Sequence, residues 1–193
     1  MTLYLHDHDP IGKHLSYLLK HDAVFKPLSK RDDLFRWKRN AGRFSDMAEM
    51  IVSQQISVKA ADSIFAKLKE NAGGVVTAER VLKLSEKKLR LSGLSFQKID
   101  YLTGLAEAVE SKRFKISALQ RMSDDEVIEA ITSLKGFGLW SAQMYLIFSM
   151  ARPDIWPYGD LGVQNGIKLY KGDSERMKPK EILEWGNRFE NQR

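Results

Sequence analysis

Two short segments carry residue types that could do chemistry. One is Leu134-Lys135-Gly136-Phe137-Gly138; the other is Trp156-Pro-Tyr-Gly-Asp160-Leu-Gly-Val163. In the first, two glycines flank one apolar residue between two helical patterns. Glycine permits positive φ and close approach of another backbone. The N–H groups of Gly136, Gly138 and the following helix start would then point outward together, at the positive end of a helix dipole, which suits a phosphate. Phe137 can plug the turn into the core, and Lys135 adds a mobile cation. Such a device grips a nucleic-acid backbone without reading bases; the plainer alternative is a helix–turn–helix connection with glycine caps. In the second segment Asp160 puts a carboxylate at a helix start. There it can serve as an N-cap, or it can stabilise positive charge and orient or deprotonate water. Asp154, the competing carboxylate of the same loop, reads as a loop or cap residue.

The elements that must position these residues read as helices nearly throughout. Asp9-Pro10 opens a first helix with Ile11, Leu15, Leu18 and Leu19 on one stripe. Leu34, Phe35 and Trp37 mark a short second element. A stronger helix spans Phe44 to Gln55, and a new one after Ile56-Ser57 carries Ala60, Ala61, Ile64, Phe65 and Leu68, stopping at Asn71-Ala-Gly-Gly74. Thr77 and Ser85 cap two short helices. Ser95 to Lys112 is amphipathic. Ser123-Asp-Asp-Glu126 is a capping box for a helix reaching Leu134. Leu139 to Met150 is the most apolar helix, Ala151 to Gly159 a loop, and further helices start at Asp160 and Lys178. Leu91-Ser-Gly-Leu-Ser-Phe-Gln-Lys98 echoes Leu134 to Ser141. No β-alternation is seen, so the fold class is all-α.

Composition narrows the classes. The 193 residues suit one domain, or two small lobes sharing a core. The absence of cysteine excludes a disulfide framework, a zinc–thiolate site and a thiolate-held iron–sulfur cluster. His6, His8, His14 and His21 lack the acid partners and spacing of a metal site. The N-terminus is no signal peptide, and no apolar stretch is long enough to span a bilayer, so no membrane partner is expected. A net charge of +6 favours a polyanionic partner.

Leu134-Lys-Gly-Phe-Gly-Leu-Trp-Ser-Ala-Gln-Met-Tyr145 resembles the helix–hairpin–helix of the DNA glycosylase superfamily, in which a Gly/Pro-rich loop and a catalytic Asp follow. Asp160 stands twenty residues after Trp140, the spacing of that pattern. Ile51-Val-Ser-Gln-Gln-Ile-Ser-Val-Lys-Ala-Ala61 resembles the segment that presses into the minor groove. The resemblance covers most of residues 40–170, and the branch it is most similar to is the compact 3-methyladenine DNA glycosylase II type. It implies two helical lobes with the active-site cleft between them. About residues 1–40 and 151–193 would form the terminal lobe, and about 41–150, with the hairpin 134–138, the central lobe.

The implied function is excision of alkylated, 3-methyladenine-type purines from double-stranded DNA in base excision repair. Breaking an N-glycosidic bond builds positive charge on the sugar, which the Asp160 carboxylate would stabilise. An alkylated purine is already cationic and leaves without much acid help. Strand-cleaving members carry a lysine where this chain has Trp140, so the enzyme should be monofunctional, leaving an abasic site with no lyase activity. Trp140 would stack on a cationic base; its plainer reading is core. Phe44, Tyr145, Trp156 and Tyr158 are further candidate pocket aromatics. Gln55 or Ile56 would be the wedge that fills the stack after flipping, Gln55 standing where a larger member has an apolar residue. The backbone carbonyls of Thr132, Leu134 and Phe137 would hold a structural Na or K ion at the hairpin; catalysis needs no cofactor. Related glycosylases continue into a further helix after the point where this chain reaches Asn187 to Arg193. The expected agent is a monomer, working in the cytoplasm (nucleoid) of a bacterium or the nucleus of a eukaryote. The rival reading is a non-catalytic helix–hairpin–helix module that binds DNA structure.

Overall fold

The computed structural model describes residues 16–17, 19–20, 23–30, 43–152 and 154–187. The helix opening at Asp9-Pro10, the element at Leu34, Phe35 and Trp37, and the four histidines lie outside the described residues, Leu19 excepted. Among the described residues all regular structure is helical, as the sequence pattern predicts. The chain divides into two compact units, Asn40–Tyr145 and Met1–Arg39 with Leu146–Arg193.

The Asn40–Tyr145 unit contains α1 (Phe44–Ser53), α2 (Val58–Asn71), α3 (Ala78–Leu82), α4 (Glu86–Leu91), α5 (Phe96–Glu110), a 3-10 turn (Ile116–Arg121), α6 (Asp124–Thr132) and α7 (Leu139–Met144). Except at α1 and α7, its α-helices start where a hydroxyl can satisfy an orphan amide. Ser57, Thr77, Ser85, Ser95 and Ser123 each accept a hydrogen bond from the amide three residues on. At α6 the box closes, because Glu126 takes the Ser123 amide at 2.7 Å. That bond holds the Glu126 carboxyl below its usual range. α2 stops where Gly73 and Gly74 turn left-handed and the Gly74 amide reaches back to the Lys69 carbonyl.

α5 is the spine of this unit and packs against α1, α3 and α4. Met47, Ile51 and Val52 of α1 and Leu102, Leu105 and Ala106 of α5 are buried. Each large side chain among them contributes about 1.5–3 kcal/mol by leaving water. The sequence echo is also a structural one. Gly93 and Gly136 both take positive φ, of 98° and 90°, and each is followed by a buried apolar residue, Leu94 or Phe137, and then by a helix.

In the other unit, α8 (Leu161–Lys171) ends at left-handed Gly172, and α9 (Pro179–Gly186) begins with proline, whose missing N–H costs nothing there. One predicted element differs. The helix expected from Leu139 to Met150 is α-helical only to Met144, and Tyr145–Ser149 forms a π-helical turn. Apolar periodicity over five residues does not distinguish i→i+4 from i→i+5 bonding. The turn runs into Ala151 at φ 55°, beyond which the Arg152 amide bonds the Leu146 carbonyl.

Candidate functional site

The hairpin between α6 and α7 is built on two different glycines. Gly136 sits at φ 90° with the Tyr101 ring of α5 against its Cα; an added Cβ would lie 2.3 Å from that ring. Gly138 is extended (φ −110°, ψ −177°), and an added Cβ would meet nothing within 4 Å. The fold therefore demands the first glycine and only tolerates the second. Phe137 between them is buried, with its amide on the Leu134 carbonyl at 3.1 Å. The Gly136, Gly138 and Leu139 amides make no hydrogen bond to a described residue. Lys135 is exposed, yet its ammonium lies 2.8 Å from the Asp100 carboxylate, which raises its pKa.

The turn after α1 lies beside the hairpin. Gln54 donates to the Gly136 carbonyl at 2.8 Å, and Lys98 of α5 donates to the Val52 carbonyl at 2.6 Å. Gln55 is exposed and left-handed at φ 57°. Ile56, next in the turn, is 38% exposed. A cavity of about 320 Å³ opens between turn and hairpin, lined among others by Gln55, Lys98, Tyr101, Gly138 and Trp140. Trp140 is 43% exposed, so one part of its indole is open to a ligand. Tyr145 is fully buried and Phe44 nearly so. The structure thus gathers Gln55, Gly136, Gly138 and Trp140 around one cavity, and sets Tyr145 and Phe44 in the packed interior.

Asp160, Trp156 and Tyr158 belong to the other unit. Asp160 caps α8: its Oδ1 accepts the Val163 amide at 3.0 Å, and its own amide bonds the Pro157 carbonyl. Gly162 lets the carboxylate lie over the first turn, since a Cβ there would stand 2.9 Å from Oδ1. Gln164, buried, donates to the Gly159 carbonyl and pins the loop from below. Trp156 is anchored to α9. Its Nε1 donates to the Ile182 carbonyl at 3.0 Å, its ring stacks on Trp185 at 6.2 Å, and it fills the place a side chain on Gly186 would take. Tyr158 is half-buried on the same loop.

Gln54, Lys98, Asp100, Tyr101, Gly162 and Gly186 were not singled out by the sequence as site residues. Each acts through a partner elsewhere in the chain or through a missing Cβ, and only Gly162 beside Asp160 had a local signal. Among the described residues no group of three or more His, Asp or Glu could hold a metal, and no helix is long and apolar enough to cross a membrane.

A half-exposed indole, a strained turn and a set of outward amides form one surface of one unit, and a capped carboxylate stands on a braced loop of the other. The chain is similar to known proteins in sequence and fold. Residues 48–189 match the HhH-GPD superfamily of base excision DNA repair proteins. The DNA-3-methyladenine glycosylase 1 of Schizosaccharomyces pombe is 35% identical over 161 residues, 80% of this chain and 69% of that protein. The DNA-3-methyladenine glycosylase of Saccharomyces cerevisiae is 36% identical over 183 residues, 86% of this chain and 62% of that protein. Among solved structures, the S. pombe 3-methyladenine DNA glycosylase in complex with abasic DNA is similar, with a TM-score of 0.76 and 30% identity over 91% of this chain and 88% of that one.

Proposed function

The chain belongs to the HhH-GPD superfamily of base excision DNA repair proteins, and on that premise we propose that it is a DNA glycosylase that excises alkylated, 3-methyladenine-type purines from duplex DNA. The observation that carries the reading is the cavity shared by the Gln55 turn, the hairpin glycines and the exposed face of Trp140. The hairpin amides hold a backbone phosphate. Gln55 or Ile56 enters the stack as the base leaves it. Trp140 stacks on the extruded base, and the positive charge of an alkylated purine adds a cation–π attraction of about 0.5–2 kcal/mol. Asp160 stabilises the cationic sugar and orients the attacking water. One of its oxygens is held by the Val163 amide, which fixes the plane of the carboxylate.

The reaction stops at the abasic site. Trp140 carries no amine, and of the cavity-lining residues only Lys98 does; its ammonium is committed to the Val52 carbonyl. Hydrolysis itself uses no cofactor. The family resemblance supports a monovalent cation at the Thr132, Leu134 and Phe137 carbonyls, of which that of Leu134 also accepts the Phe137 amide. Thr132 ends α6, where carbonyls lose their helical donors and the dipole is negative. Such an ion would supply positive charge next to the hairpin amides. The protein acts as a monomer on double-stranded DNA, in whichever compartment holds the genome.

The test is release of methylated purines from alkylated duplex, comparing the parent with Asp160→Asn at matched folding. The parent should release base and the variant should lose at least about two orders of magnitude while still binding DNA. Equal release by both removes Asp160 from the chemistry. DNA binding with no release by either favours the non-catalytic module. Borohydride should trap no covalent adduct; an adduct that disappears in Lys98→Arg would make the protein a lyase.

A further inference from the structure

The wedge turn and the hairpin are tied together by bonds that gripping a phosphate does not require. The Gln54 amide bonds the Gly136 carbonyl although 82 residues separate them in sequence. Lys98 reaches the Val52 carbonyl, one of those left without a helical donor where α1 ends. One turn further along α5, the Tyr101 ring lies under Gly136, and Gln97 bonds the Tyr101 hydroxyl at 2.7 Å. Burial lowers the Lys98 pKa, so its ammonium is partly withdrawn from the solvent in which a phosphate-seeking lysine would sit. Between these ties stands Gln55 at φ 57°. A side-chain-bearing residue keeps that conformation only where its surroundings impose it.

We propose that Gln54 and Lys98 are positioning residues for base flipping, which lock the Gln55-Ile56 turn against the hairpin so that gripping the backbone and entering the duplex are one rigid event. The inference rests on the wedge assigned above. Extruding a base means unstacking and unpairing it. A wedge that yields under that load lets the base return. Gln54 resists withdrawal from the hairpin side and Lys98 from the α1 side, and both reactions pass into α5, the helix packed against α1, α3 and α4.

The experiment uses a duplex with 2-aminopurine beside a stable abasic analogue, whose emission rises when the neighbouring base unstacks. Gln54→Leu, Lys98→Met and Lys98→Arg are compared with the parent, each with and without Gln55→Ala, below their melting temperatures. Gln54→Leu and Lys98→Met should cut the emission rise at saturating protein by about ten-fold, the loss of one geometry-fixing hydrogen bond. Lys98→Arg, which keeps donor and charge, should restore most of it. Affinity for undamaged duplex should change less than about two-fold in all three, because the hairpin amides remain. With Gln55→Ala present, neither substitution should add a further loss, since residues acting through one another are not additive.

Unchanged emission in both variants overturns the proposal. So do losses that add to that of Gln55→Ala, and so does a Lys98→Met variant that weakens undamaged-duplex binding as much as it lowers emission, for then Lys98 is a phosphate cation. A parent that causes no emission change overturns it as well. The readout needs no base release, so a parent that flips but excises nothing sinks the glycosylase reading alone.

Discussion

Asp46 lies in the first turn of α1, where the helix dipole and Arg43 favour its charge. Burial outweighs both and pushes its pKa up to about 6. Ser45 donates to Oδ1 at 3.3 Å, while Oδ2 is buried with no hydrogen-bond partner among the described residues. Because the folded pKa lies above the unfolded value, the fold binds the proton more tightly than the unfolded chain does. The resulting stability is fully present below the unfolded pKa and is lost as pH rises through about 6. Asp46→Asn should therefore melt at a higher temperature than the parent near about pH 8, with the gap closing toward about pH 4. A gap that does not change with pH would assign the effect to packing. Glu49, raised by burial and by Asp62, also pushes Asp46 up through its charge, so the gap carries part of the Glu49 titration with it. At this scale the capping role of Asp160 was readable, since a carboxylate at a helix start is a local signal. Asp46 was not, because nothing in its neighbours announces that it is buried.

At the scale of elements, the hairpin separates two roles for glycine. Gly136→Ala must place a methyl against the Tyr101 ring while holding φ 90°. It should cost about 2–4 kcal/mol of stability, combining left-handed strain with overpacking. Gly138→Ala meets neither obstacle and should melt within about 0.5 kcal/mol of the parent. Its methyl would stand where a phosphate must approach the amides, so affinity for undamaged duplex should fall while the fold holds. Chemical denaturation and duplex titration on both variants check this; a Gly138→Ala protein that binds normally removes the phosphate from that face. The hairpin, the capping box of α6 and the glycine stop of α2 were legible because each is a local device. The π turn at Tyr145–Ser149 was hidden within a helical pattern. The ties through Gln54 and Lys98 span 82 and 46 residues, and no local pattern encodes which chain segments meet.

For the whole molecule, a net charge of +6 sets the attraction to a polyanion, and the Asp100–Lys135 pair tunes it. In the free protein Asp100 occupies Lys135. An exposed pair of this kind contributes little to stability, so a phosphate can displace it. Asp100→Asn should raise affinity for undamaged duplex by about three- to ten-fold at low salt and steepen the log–log salt dependence by about one. An unchanged slope would mean that Lys135 touches no phosphate. The all-α class and the family followed from motif order along the chain. How α5 serves both wedge and hairpin did not, because its residues look like an ordinary solvated helix face in sequence. A different consequence attaches to the Trp156–Trp185 stack, whose rings lie 6.2 Å apart at 28° with Tyr170 edge-on to Trp185. Two indoles this close share their electronic transitions. One indole of the pair sits on the loop that carries Asp160 and the other on α9, so near-ultraviolet circular dichroism can follow the seating of the loop on α9 without a label.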